Sequence, residues 1–236
     1  MTIARKQLSK PRVRFLSRPE VASFFVGKTV AIVGSGPGVL ENNEGFIDEH
    51  DVVLRVNNYK LSVATGKRCD VFYSFFGNSI RKTALELRTD GVKLCICKCP
   101  DAHAIESEWH RRNDKMLGVD FRWIYRDRKM LWFCDTYVPT TEEFLAYFNL
   151  LDGHVPTTGF AAIQDVISFN PKSMYLTGFD FFLSGIHNVN QKWKRVNHRD
   201  PIGHEPEREL EWLTKNFRKY PITMDKTLVK LMGRLT

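Results

Sequence analysis

His204 closes the tripeptide Ile202-Gly203-His204, directly ahead of an amphipathic stretch. A neutral imidazole, with an ordinary pKa of about 6.5, is the side chain best matched to taking a proton from a hydroxyl at neutral pH. The other reading of His204 is a histidine that happens to precede a helix. Four further clusters can hold an anionic or hydroxyl-rich ligand. Gly34-Ser35-Gly36-Pro37-Gly38 allows close backbone approach or simply a tight turn. It lacks the third glycine of a dinucleotide fingerprint, because Val39 stands there, and it has no Lys-Ser/Thr pair for a P-loop. Asn57 and Asn58 end an apolar run with carboxamides that both donate and accept. Pro156-Thr157-Thr158-Gly159 opens a helical pattern, whose first N–H groups attract an anion. Gly178-Phe179-Asp180 ends another apolar run. The chain has no Asp-x-Asp pair, so the lone Asp180 carboxylate suits a ribose hydroxyl or a backbone amide better than a metal ion.

These clusters need a scaffold that brings them together, and the pattern of apolar runs supplies one. Short runs from Lys28 to Val33, Asp51 to Val56, Cys69 to Phe76, Val92 to Cys97 and Ser173 to Thr177 read as strands, with Phe121 to Tyr125 as a further one. Between them lie helical stretches. One is expected from a cap at Asn78 through about Arg88, and one after Thr140 or Thr141 with Glu142 and Glu143 in its first turn. Others are expected from Pro156 to a stop at Asn170-Pro171, from Glu205 to Phe217, and after a cap at Asp225. Strands alternating with helices imply one α/β domain with a mostly parallel sheet covered by helices on both faces. Ligands of such sheets bind beyond the carboxyl ends of the strands, where the glycine loop, the Asn pair and the Gly-Phe-Asp turn all fall. That convergence predicts a nucleotide or another phosphorylated ligand.

Composition narrows the class. The 236 residues are 43% hydrophobic and 26% charged, with a formal charge of +8; this suits a globular domain with a real core and anionic partners, and excludes disorder or collagen. The longest early apolar stretch is broken by Gly27 and Lys28, so no span of about 20 apolar residues is expected. A basic N-terminus without the apolar region of a secretory signal predicts a cytoplasmic protein. Five cysteines without CxxC spacing are not a disulfide framework. Cys95, Cys97 and Cys99 alternate on one strand face, about 6.6 Å apart, too strung out to wrap a zinc ion. They read as fillers of a core, and no metal or cofactor is expected.

VAIVGSGPGVL, DVVLRVNNY, TTGFAAI, YLTGFDFF and IGH, in that order, resemble the bacterial lipooligosaccharide sialyltransferases and, more distantly, the animal sialyltransferases. The resemblance runs from about Lys28 to Leu213 with gaps in the middle. It implies a modified Rossmann-type fold and inverting, metal-independent transfer of an acidic sugar from CMP to a carbohydrate hydroxyl. Sialic acid is the first choice of sugar and Kdo the second. It further implies that Gly34, Ser35, Gly36 and Pro37 face the donor's phosphate and sugar, and that Asn57 binds the nucleotide. Thr157, Thr158 and Gly159 would hold the donor carboxylate or the CMP; Gly178, Phe179 and Asp180 would shape the cytidine pocket; and His204 would be the general base. Two positions depart from the bacterial pattern: Ser35 replaces an Asn, and Phe182 replaces a Tyr that contacts phosphate. His187 is placed to take over that contact.

Two basic segments stay open between readings. Trp109 to Phe133 mixes Arg, Lys and aromatics; it can serve as an acceptor-binding lid within about 100–150, as a solvated helix followed by a core strand, or as a nucleic-acid surface, the last being the alternative, non-catalytic reading. The last helix, about 225–235, has Leu228, Leu231, Met232 and Leu235 on one face with Lys226, Lys230 and Arg234 beside it. It can lie on an anionic membrane surface or pack on the domain. The partners expected are a CMP-activated acidic sugar and a glycan or glycolipid acceptor, with no nucleic acid.

Overall fold

The computed structural model describes residues 13–76, 80–99, 129–183 and 204–234. Eight strands form one sheet: β1 (Arg14–Phe15), β2 (Thr29–Val33), β3 (Val52–Val56), β4 (Val71–Ser74), β5 (Leu94–Cys97), β6 (Asp135–Tyr137), β7 (Ser173–Thr177) and β8 (Ile222–Met224). Their order is β1-β6-β5-β4-β3-β2-β7-β8, and every neighbouring pair is parallel. The expected mostly parallel sheet is therefore parallel throughout the described residues.

A parallel sheet covered on both faces needs apolar residues on both, which is why its strands read as continuous runs rather than alternations. Val30, Ile32, Leu54, Tyr73, Leu94, Ile96 and Leu176 enter the main core. Their alternating neighbours face the other way: Ala31, Val33 and Val53 pack with Val39 and Ile47, and Phe72, Cys95 and Cys97 pack with Cys69, Leu87 and Cys134. The cysteines are core fillers as expected. All five are free thiols, with Cys99 packed against the same cluster.

Among the described residues six helices cover the sheet: α1 (Arg18–Ala22), α2 (Ala84–Thr89), α3 (Thr141–Leu150), α4 (Thr158–Ser168), α5 (Pro206–Asn216) and α6 (Lys226–Met232). The main core receives Ala161, Ala162, Ile163 and Val166 from α4, Leu210 and Leu213 from α5, and Leu228, Leu231 and Met232 from α6. Leu87 of α2 lies on the opposite face. Capping residues fix the helix starts. Thr140 accepts from the Glu143 N–H and donates its own N–H to the Glu143 side chain in return, Thr157 accepts from Phe160, and Asp225 accepts from Leu228.

One expected helix start changes. The helix expected from Asn78 begins at Ala84, because Thr83 and Glu86 form a reciprocal capping box that Asn78 cannot; Asn78 itself lies outside the described residues, as does the stretch from Phe121 to Tyr125. β1, β6 and β8 were not anticipated, since two or three residues carry no readable period. Residues 129–150, the described part of the stretch read as a lid, hold β6 and α3. Leu228, Leu231 and Met232 of α6 are buried in the core, while Lys226 and Lys230 are exposed. Among the described residues no helix is long and apolar enough to cross a membrane.

Candidate functional site

The strand order runs from β2 through β3 in one direction and through β7 in the other, so the connections diverge between β2 and β7. A crevice at the carboxyl ends of those two strands is where such sheets take ligands. The glycine loop leaves β2 there, and the Gly-Phe-Asp turn leaves β7. They touch backbone to backbone: the Gly34 N–H donates to Thr177 O and the Gly36 N–H to Gly178 O, both at 2.8 Å. A Cβ on Gly34 would lie 2.3 Å from Gly178 O, and one on Gly178, whose φ is +73°, would lie 2.9 Å from Gly34 O. These glycines thus serve first to let the two crevice walls meet, a role the sequence did not separate from ligand approach. Pro37 then begins a 3-10 turn, Pro37–Glu41, where its missing N–H costs no hydrogen bond.

Beyond Gly178 the turn is unusual. The buried Phe179 ring rests on Gly159, where a Cβ would come within 2.7 Å of Cε1; it joins the turn to the start of α4. Asp180 Oδ1 accepts the Phe182 N–H at 3.2 Å, in line with the backbone-amide alternative. Phe181 and Phe182 have φ of 51° and 62°, a left-handed conformation that bulky residues rarely hold and that collects at functional sites. Asn57, at the end of β3, is also left-handed with φ 54°; its N–H donates to Tyr73 O at 3.0 Å and its Oδ1 accepts from Ser74 at 3.1 Å. An asparagine tolerates that conformation better than most residues.

The third wall is the start of α4. Thr157 accepts the Phe160 N–H at 3.2 Å, and its own N–H donates to Glu209 Oε1. The Thr157 hydroxyl and Glu209 Oε2 lie 2.6 Å apart, the hydroxyl donating when the carboxyl is ionised. Glu209 is fully buried on α5. Burial pushes its carboxyl up to about 8, against the pull of the Thr157 hydrogen bonds and the positive charge of Lys98. Lys98, itself buried at the end of β5, donates its backbone N–H to Ser74 O at 2.9 Å. An internal carboxyl group therefore already engages Thr157, while Thr158 and Gly159 form the first turn behind it.

His204 enters the same region. Its Nδ1 lies 2.6 Å from Val155 O. A carbonyl can only accept, so Nδ1 carries the proton and Nε2 is the basic nitrogen in the neutral ring. The segment carrying His204 is thus tied to the connection between α3 and α4 at two points, His204 to Val155 and Glu209 to Thr157. The glycine loop, the Asn57 end, the Thr157 helix start, the Gly178 turn and His204 all lie at the carboxyl side of the sheet. His187 lies outside the described residues. Among the described residues no group of three or more His, Cys, Asp or Glu side chains is arranged to hold a metal ion.

Two functional-looking carboxylates were missed. Glu209 falls on the apolar side of α5 with Leu210 and Leu213, and an acid on an apolar stripe was the available signal. Asp165, wholly buried within α4, accepts from Tyr73 at 2.6 Å and from Tyr147, and burial raises its carboxyl to about 6. Only tertiary packing brings those phenols to it.

No family model and no curated protein matches the chain. Solved structures do. The sialyltransferase CstII from Campylobacter jejuni in complex with CMP-3FNeuAc aligns with a TM-score of 0.54 at 20% identity, over 84% of this chain and 80% of that one. A mammalian sialyltransferase in complex with Gal-beta-1-3GalNAc-ortho-nitrophenol gives 0.52 at 17% identity, over 85% and 70%. An alpha-2,3-sialyltransferase from Campylobacter jejuni in apo form gives 0.51 at 16% identity, over 91% and 77%. The chain has a sialyltransferase-like fold, the Rossmann-type architecture that its motifs imply.

Proposed function

We propose that the protein is an inverting, metal-independent glycosyltransferase that moves an acidic 2-keto sugar from its CMP donor to a hydroxyl of a glycan or glycolipid. Sialic acid is the first donor and Kdo the alternative. The observation that carries this reading is the hydrogen bond from His204 Nδ1 to the Val155 carbonyl, which leaves Nε2 as the basic nitrogen of a residue at the carboxyl side of a sheet whose fold is shared with sialyltransferases solved with CMP. In the proposed reaction Nε2 takes the acceptor proton as the acceptor oxygen bonds to the anomeric carbon. The bond from that carbon to the phosphate oxygen breaks, and its electron pair leaves with CMP. Attack opposite the departing CMP inverts the anomeric centre. Donors placed beforehand around the phosphate can lower such a barrier by several kcal/mol without a metal; the loop at Ser35 and the first turn at Thr158 and Gly159 are the assigned groups. Asn57 and the turn at Gly178 and Asp180 are assigned to the nucleotide. The working place proposed is the cytoplasm, at the inner face of the membrane where lipid-linked acceptors lie, with the exposed Lys226 and Lys230 of α6 toward the leaflet.

The test is to incubate the protein with CMP-sialic acid and with CMP-Kdo separately, each with a glycan acceptor, and to measure CMP release. Release from either donor supports the reading and names the sugar. Release from neither, together with salt-sensitive RNA binding, overturns it in favour of a non-catalytic nucleic-acid module.

A further inference from the structure

Asp225 has been introduced only as the cap of α6, yet its carboxylate reaches further. It is buried, and its Oδ1 accepts the Leu228 N–H at 2.8 Å. Its Oδ2 accepts two more donors, the Thr177 hydroxyl at 2.9 Å and the Gly178 N–H at 2.8 Å. A Cβ on Gly38 would fall 2.5 Å from that same Oδ2. The last glycine of Gly34 to Gly38 is thus required by the carboxylate that sits against it, with no ligand invoked. Asp225 is wedged between the two loops that form the crevice floor.

The hydrogen bonds run onward. Gly178 gives its N–H to Asp225 and its carbonyl to the Gly36 N–H at 2.8 Å. Anchoring Gly178 by its N–H therefore steadies the next peptide plane, whose carbonyl accepts from Gly36, and with it the loop assigned to the donor. Asn42 extends the brace, donating to Thr177 Oγ1 at 2.9 Å and to Val39 O at 2.8 Å. Gly178 has φ +73° and no side chain, so nothing of its own restrains the peptide plane.

We propose that Asp225 is a positioning residue for donor binding: through the Gly178 peptide it holds Gly36 and the glycine loop in their ligand-ready arrangement before the donor arrives. This inference rests on the CMP-sugar reading above. A preformed floor spares the donor the cost of ordering two loops, so its loss raises KM and Kd rather than lowering kcat.

The experiment compares Asp225→Ala, Asp225→Asn and, as a control, Thr227→Ala, which removes the exposed bond from the Thr227 hydroxyl to Glu41 without touching Gly178. CMP affinity is read by calorimetry, KM and kcat by CMP release, and Gly36 and Gly178 amide exchange by NMR. Asp225→Ala is expected to raise Kd for CMP and KM for the CMP-sugar about tenfold, with kcat within about threefold, and to speed exchange at both amides. Asp225→Asn, whose amide oxygen can still accept the Gly178 N–H, is expected to fall between Ala and wild type. Thr227→Ala lowers the melting temperature slightly and leaves Kd, KM and the two amides unchanged. Unchanged Kd and KM in Asp225→Ala overturn the proposal, as does an equal rise in Thr227→Ala. Failure of wild type to bind CMP overturns the CMP-sugar reading instead, and the exchange of Gly36 then decides alone whether Asp225 holds the loop. Should Asp225→Ala not fold, Asp225→Asn carries the same comparison.

Discussion

Glu209→Gln removes a buried acid whose proton is held unusually tightly. Burial pushes the Glu209 carboxyl from 4.5 in the free side chain up to about 8. In the unfolded chain the group ionises near 4.5, whereas in the native state it keeps its proton to about 8, so the folded state binds more protons across that window. Stability contributed by the protonated acid is complete below pH 4.5 and drains away as pH rises toward 8. At about 1.4 kcal/mol per pH unit, the total comes to about 5 kcal/mol, with about 3 kcal/mol already gone at pH 7. Glutamine does not titrate, and its carbonyl can still accept the Thr157 N–H. Urea unfolding of both proteins at half-unit steps from pH 5 to 8.5 should show wild type losing about 4 kcal/mol of stability relative to the variant. The difference between the two proteins isolates Glu209, because Asp165, raised to about 6 by burial, adds the same slope to each. Parallel stability curves across the window would refute the reasoning and make Glu209 an ordinary ionised cap for Thr157.

Three further expectations follow from the site. His204→Ala should keep the fold by circular dichroism and lower CMP-sugar turnover by about 10²- to 10⁴-fold; near-wild-type turnover removes His204 from the reaction. Gly178→Ala should lose at least about 2 kcal/mol in urea, because a left-handed alanine costs roughly 1–2 kcal/mol and its Cβ would also lie 2.9 Å from Gly34 O; a loss under about half a kcal/mol would mean the two loops yield freely. Turnover should survive EDTA, and complete loss restored only by a divalent cation would end the metal-independent reading.

The strands flanking the crevice were legible because a parallel sheet buried on both faces leaves unbroken apolar runs, and β2, β3, β4, β5 and β7 all have them. Helix starts were legible where a cap sits beside an apolar period, as at Thr140, Thr157 and Asp225. Thr83 was passed over for Asn78 although its reciprocal partner Glu86 stood three residues on. The edge strands β1 and β8 were unreadable: their few residues are paired by the neighbour, not by their own pattern. At the site, the motifs placed each cluster at the correct end of the sheet, but hydrogen-bond partners far apart in sequence were invisible. Nothing local joins Glu209 to Thr157, or Val155 to His204.

The strand order also has a consequence for how the protein comes into being. β2 is synthesised well before β7, one of its two neighbours, with Thr29 paired to Ser173 roughly 140 residues later. Until that partner arrives, β2 presents a bare edge of unpaired N–H and C=O groups to other chains. The crevice between β2 and β7 cannot exist before β7 has been made. Its assembly is therefore a late event in folding, and a nascent or truncated chain ending before Ser173 would expose a sticky edge where the finished protein has its ligand site.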